Sequence, residues 1–126
     1  MGASREVVDR AYAAFGRGDI PAIIELLYDD VEWSSPGTLP QGGGFRGKDG
    51  VLEFFQGVGA AWDSLEIETE NVDELGDGRV VGVVRGSGAL RGGGPAEYGA
   101  VHLFTVQGGK ITRFRELVDV DQALAQ

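Results

Sequence analysis

Cysteine is missing altogether, histidine occurs once and lysine only twice, and each shortage closes off a class of function. Without cysteine there is no disulfide framework, and a reducing compartment such as the cytoplasm is the natural setting. One histidine, His102, and no spaced carboxylate–histidine motif leave too few ligands for zinc or non-haem iron, so no metal is expected. No other cofactor is expected, because Gly42–Gly44 and Gly92–Gly94 lack the Lys and Ser/Thr of a phosphate loop and join no strand to a helix. Lysine and arginine total 11 against 20 acidic residues, a net charge of -9, which disfavours nucleic acid and anionic membranes as partners. No apolar run approaches the roughly 20 residues of a membrane span. The opening residues Met1 to Glu6 carry no apolar signal-peptide core.

The 126 residues suit a single domain, 1–126, with a core of its own. Glycine is abundant, at 22 residues, but it falls in short clusters between patterned segments, which argues against disorder. Residues 4–16 read as a helix with Ser4 as N-cap and Val8, Ala11 or Tyr12, and Phe15 on one stripe. Asp19 then caps a second helix that carries Pro21 in its first turn and buries Ile20, Ile23, Ile24 and Leu27. Asp29 and Asp30 are expected to break it, and Val31–Ser35 to form a strand. Residues 36–47 read as a loop rich enough in glycine to serve as a flap. Residues 48–61 form a third helix with Val51, Phe54, Phe55 and Val58 on its apolar stripe.

From Trp62 the pattern changes to period two. Leu65, Ile67 and Thr69 alternate with Glu66, Glu68 and Glu70, a strand with one wet acidic face. Arg79–Leu90 is a further strand, with Val81, Val83, Arg85 and Ser87 sharing a face read as interior. A hairpin follows, turning at Gly108–Gly109, with a short tail, 121–126, read as helical. Helices first and antiparallel strands after make an α+β plan.

The hairpin decides the chemistry, because His102 lies on its first strand and Glu116 on its second. A two-residue loop puts His102 opposite Arg115. A three-residue loop with a glycine bulge puts it opposite Phe114, and gathers His102, Phe104, Val106, Thr112, Phe114, Glu116 and Val118 on one face. Segregation of both arginines to the other face favours the longer loop. His102 then reads either as a core histidine or as a general acid/base in an apolar cavity, with Glu116 to orient it and stabilise its charged form. Arg85 reads as a third member of the site, or as a structural partner of Glu116. The outer face would carry Leu103, Thr105, Ile111, Arg113, Arg115 and Leu117. An uncovered sheet face of that kind wants a partner, and a homodimer is expected.

The runs Gly18–Trp33, Phe45–Phe55 and His102–Glu116 together resemble the SnoaL-like branch of the nuclear transport factor 2 superfamily, across nearly the whole chain. That group includes ketosteroid isomerases, limonene-epoxide-hydrolase-like enzymes and polyketide cyclases. The resemblance implies a cone: three helices closing a strongly curved antiparallel sheet around a pocket for a small hydrophobic ligand. It implies Trp33, Ser35, Arg85, His102, Phe104, Phe114, Glu116 and Val118 in that pocket, with Tyr12 and Phe55 beside them. Where ketosteroid isomerases have a tyrosine donor, this chain has Ala11, with Tyr12 one place on. Where they have the proton-moving aspartate it has Ser35, and His102 stands in place of their protonated aspartate. Arg85 matches the arginine of the epoxide hydrolases, but Ser87 stands where one of their aspartates is wanted. His102 with Glu116 is similar in type to the pair used by SnoaL-like cyclases. The implied activity is cofactor-free proton transfer on a small carbonyl compound by His102, Glu116 and Arg85, with a non-catalytic binding module as the alternative.

Overall fold

The computed structural model describes residues 3–35 and 43–118. Helix α1 (Ala3–Gly16) buries Val7, Val8, Ala11 and Ala14. It starts at Ala3, so Ser4 stands inside the first turn and does not cap it. Helix α2 (Ile20–Glu25) is short and capped as expected: Asp19 Oδ1 accepts the Ala22 N–H at 3.2 Å, with Pro21 in the first turn. The chain passes at once into strand β1 (Leu27–Ser35). Asp29 and Asp30 therefore lie within a strand, and Leu27 is buried as its first residue instead of on the helix.

Strand β2 (Gly43–Arg46) corrects the reading of 36–47 as loop throughout. It pairs antiparallel with β1, Phe45 opposite Trp33. The Phe45 ring also packs on Phe54, centroids 5.5 Å apart, at the foot of helix α3 (Gly47–Ala61). One apolar side chain with two aromatic partners is enough to hold this glycine-rich segment on the sheet edge. The remainder of the expected flap, 36–42, and the tail 121–126 lie outside the described residues.

Strands β3 (Trp62–Gly76), β4 (Arg79–Leu90), β5 (Gly94–Gln107) and β6 (Lys110–Val118) complete a six-stranded sheet in the order β2-β1-β6-β5-β4-β3. Neighbours run antiparallel except β1 and β6, which are parallel. This is the expected α+β architecture, three helices against one sheet. Helix α3 touches β1 and β2 at one edge and β3 at the other, so the sheet wraps around it. Bulges in β3, at Trp62/Ser64 and Thr69/Asn71 among others, bend that edge inward. Val8, Val31, Val51, Val80, Leu27 and Ile111 are fully buried between the layers. No described helix is long and apolar enough to cross a membrane.

The hairpin combines features of both expected registers. Gly108 and Gly109 have φ of 59° and 79°, the signature of a two-residue type I′ turn, and Val106 stands opposite Ile111. That is the shorter loop. Beyond it Thr105 faces Arg113, so Thr112 is an extra residue in β6, its hydroxyl donating to the Thr105 carbonyl at 3.3 Å. The bulge shifts the pairing by one residue and turns Phe114 and Glu116 to the face of His102. His102 thus stands opposite Glu116, and Phe104 opposite Phe114. Ile111 precedes the bulge and is buried, which removes it from the expected outer face.

Strand β4 corrects the reading of Arg85. The residues it turns inward are Val80, Gly82, Val84 and Gly86; Arg85 lies on the outer face with Val81 and Val83. The bulkier side of this strand faces out because Tyr12 and Tyr98 occupy the space left by the two inward glycines.

Candidate functional site

Two rows of side chains cross the inner face of the sheet. In one, Phe45, Trp33, Phe114, Phe104 and Val80 stand on successive strands from β2 to β4, all apolar. One step along the strands the row is Ser35, Glu116, His102 and Gly82. This second row is polar and buried, with Ser35, His102 and Glu116 each exposed by 7% or less. It ends at a glycine, and there α1 supplies what the strand does not. A Cβ at Gly82 would collide with the Tyr12 hydroxyl, so the missing side chain is the space that the hydroxyl fills.

A continuous hydrogen-bonded line results. Ser35 Oγ–H donates to Glu116 Oε1 at 2.5 Å. Glu116 Oε2 lies 2.9 Å from His102 Nε2, and His102 Nδ1 lies 2.8 Å from the Tyr12 hydroxyl. Counting protons assigns the roles. With a neutral imidazole, Nε2–H donates to the carboxylate and Nδ1 accepts from Tyr12. With an imidazolium, Nδ1–H donates to the Tyr12 oxygen, and the phenolic hydrogen is released toward the cavity. Burial, followed by the charges of Glu116 and Asp9, pushes the Tyr12 phenol well above its ordinary value. Tyr12 is therefore a neutral donor throughout the physiological range and never a phenolate.

The line borders a cavity of about 70 Å³ between the helices and the sheet. Of the residues expected at the site, Tyr12, Trp33, Phe55, His102, Phe104, Phe114 and Glu116 line it. Ser35 stands behind Glu116 and holds its second oxygen. Arg85 is outside, on the other face of the sheet. Val118 pairs with Ala100 in the ladder, and its side chain lies outside the described residues. Phe54, Leu65, Ile67 and Tyr98 also line the cavity, and the first three already stood on apolar stripes in the sequence. Among the described residues no three His, Asp or Glu side chains gather as a metal-binding group. Among the described residues no lysine or arginine lines the cavity.

The profile of the SnoaL-like domain matches residues 8–114. The chain belongs to the SnoaL-like domain family. An uncharacterized protein of Mycobacterium tuberculosis is 36% identical over 115 residues, covering 90% of this chain and 87% of its own. Among solved structures, an NTF2-like protein of unknown function from Burkholderia pseudomallei superposes with a TM-score of 0.86 at 24% identity, covering 99% of this chain and 97% of that one. TerC, crystallised with polyporic acid, superposes with a TM-score of 0.81 at 28% identity, covering 98% and 96%. The expected family and its fold, an NTF2-like layer of three helices on a wrapped sheet, are therefore those of this chain. In this SnoaL-like domain Tyr12, one helix position from Ala11, lines the pocket, and its hydroxyl takes the space that a side chain at residue 82 would fill.

Two outcomes test this geometry. Gly82→Ala is expected to cost about 1–3 kcal/mol of stability by overpacking. In a Tyr12→Phe background the cost should fall, since the colliding hydroxyl is gone; equal costs in both backgrounds would remove Gly82 from the site. The second concerns pH. The raised phenol stays protonated in the fold but ionises in the unfolded chain near pH 10, so its contribution is complete below that pH and is lost as pH rises above it. Urea midpoints measured at about pH 9 and about pH 11 should therefore fall less in Tyr12→Phe than in the parent.

Proposed function

We propose that this SnoaL-like domain is an enzyme of cofactor-free proton transfer on a small, neutral carbonyl compound. The observation that supports it is the line Tyr12–His102–Glu116–Ser35 at the wall of an aromatic cavity. Tyr12 is the catalytic group that meets the substrate. As a C–H bond next to the carbonyl breaks, its proton passes to the Tyr12 oxygen, and Tyr12 gives its own proton to His102 Nδ1. The products are an enolate and an imidazolium, and the charge on the imidazolium is balanced by Glu116. Return of the proton to a different carbon isomerises the substrate; attack of the enolate carbon on a second carbonyl closes a ring, and the alkoxide formed from that carbonyl takes the proton back from His102 through Tyr12. Glu116 and Ser35 are positioning residues: they fix the tautomer and the plane of the imidazole. The cytoplasm suits a chain without cysteine.

A binding module without catalysis is the second reading, and the size of the cavity favours it. About 70 Å³ is only a few times the volume of a water molecule, which is roughly 30 Å³ in the liquid. The TerC complex with polyporic acid supports ligand binding in this fold under either reading. Deuterium exchange into the α-carbon of small aryl and cyclic ketones, followed by NMR, separates the two. Catalysed exchange is expected. It should fall by at least about 100-fold in His102→Ala with the fold retained, and Glu116→Gln should lower the rate more than the binding. Ketones that bind without exchanging would make the protein a binding module.

We also propose a homodimer through the outer face of the sheet. The helices pack on the inner face, and the outer one carries Val81, Val83, Val101, Leu103 and Leu117 with Arg85, Arg113 and Arg115. Glu66 and Glu68 on β3 are exposed beside them and offer a second copy the opposite charge. Light scattering at micromolar concentration should give twice the monomer mass, with Leu103→Arg returning it to one. A monomeric parent protein would rule the interface out.

A further inference from the structure

Trp33 is 6% exposed, and its Nε1–H is buried with no hydrogen-bond partner among the described residues. Its ring is held firmly, stacked on Phe114 at 4.1 Å and flanked by Phe54 and Phe55 at 5.7 and 5.8 Å. A buried indole donor left unpaired is a net cost that a phenylalanine at the same place avoids. The same residue lines the cavity, and the cavity wall around it is aromatic. With a neutral imidazole the members of the polar line from Tyr12 to Ser35 satisfy one another, and among the described cavity-lining residues Trp33 carries the buried side-chain donor without a partner.

We infer that the Trp33 N–H is a ligand-orienting donor, and that the cavity takes a neutral, conjugated compound carrying a hydrogen-bond acceptor for it, such as a ketone, quinone or lactone. This rests on the cavity being a ligand site, as proposed above, but not on the proton-transfer chemistry. Charge restricts the class further. The cavity is lined by the Glu116 carboxylate and by no cation, so a ligand acid meets repulsion there. An apolar ring without oxygen leaves the indole unpaired and forfeits the contact.

The test uses the whole chain, labelled with nitrogen-15, and three probes: acetophenone, its isostere α-methylstyrene, and benzoate. Trp33→Phe assigns which of the two tryptophan indole resonances belongs to Trp33. Acetophenone is expected to move that resonance downfield in the parent protein, and α-methylstyrene and benzoate to leave it in place. Trp33→Phe should weaken acetophenone roughly five- to tenfold, leave α-methylstyrene unchanged, and melt at the same temperature as the parent or higher. A resonance unmoved at saturating ketone, equal ketone affinity in both proteins, or no ketone binding at all overturns the inference. The readouts separate it from the catalytic reading. A shifted indole with no deuterium entering the acetophenone methyl group refutes proton transfer and keeps the Trp33 contact. Exchange with an unmoved indole does the reverse.

Discussion

A carboxylate exposed by only 6% cannot be left unpaired, and the fold is arranged around satisfying Glu116. One oxygen takes the Ser35 hydroxyl from β1, and the other takes the His102 ring from β5. The carboxylate thus ties together three adjacent strands, β6 with its antiparallel neighbour β5 and its parallel neighbour β1. Slipping β6 by one residue against β5 would expose Glu116 and Phe114 and bury Arg113 and Arg115, so the alternative register is heavily penalised. The same demand explains why a serine and a histidine, and not two apolar residues, stand beside it.

Helix α1 extends that arrangement into the cavity. Tyr12 brings the end of the line to the wall of the cavity, and it does so by occupying the gap at Gly82. The phenol is too deeply buried to ionise, and it stands neutral between His102 and the cavity. Around it the aromatic side chains of Trp33, Phe104 and Phe114 give the cavity an apolar wall, a setting in which a polar contact is stronger than in water. A polar row against an aromatic row is the chemical character of this SnoaL-like domain. The ketosteroid-isomerase comparison drawn from sequence fits it only loosely, since Tyr12 and His102 are joined to each other and to a buried glutamate.

The elements themselves were legible in the sequence because they rest on local periodicity. The stripes of α1 and α3 and the alternation of β3 appear where the spacing put them, and Asp19 caps the helix that it precedes, although α2 buries only Ile23 and ends before Leu27. One face was misread and another was reached by the wrong device, each for a definite reason. On β4 the apolar bulk of Val81 and Val83 suggested an interior that included Arg85, whereas the interior is marked by Gly82 and Gly86. A glycine on an inner face signals that another chain segment fills its place, and that segment is far away in sequence. On β6 the face of Glu116 was anticipated correctly but through the wrong device. The loop is the short one, and the bulge at Thr112 restores the parity.

The sequence by itself determined the class of fold, the family pattern, the absence of cysteine chemistry and the candidates His102 and Glu116. The family pattern rests on the likeness of whole residue runs to a known family; the others follow from composition and from periods of two and 3.6 residues, which any stretch of chain expresses on its own. Only the tertiary structure decided that Arg85 is excluded, that Tyr12 completes the site and that Ser35 braces it. Those facts depend on which residues meet across 90 or 81 positions of sequence. That is a matter of strand parity and of space left empty by glycine, and neither is encoded in the neighbourhood of the residues concerned.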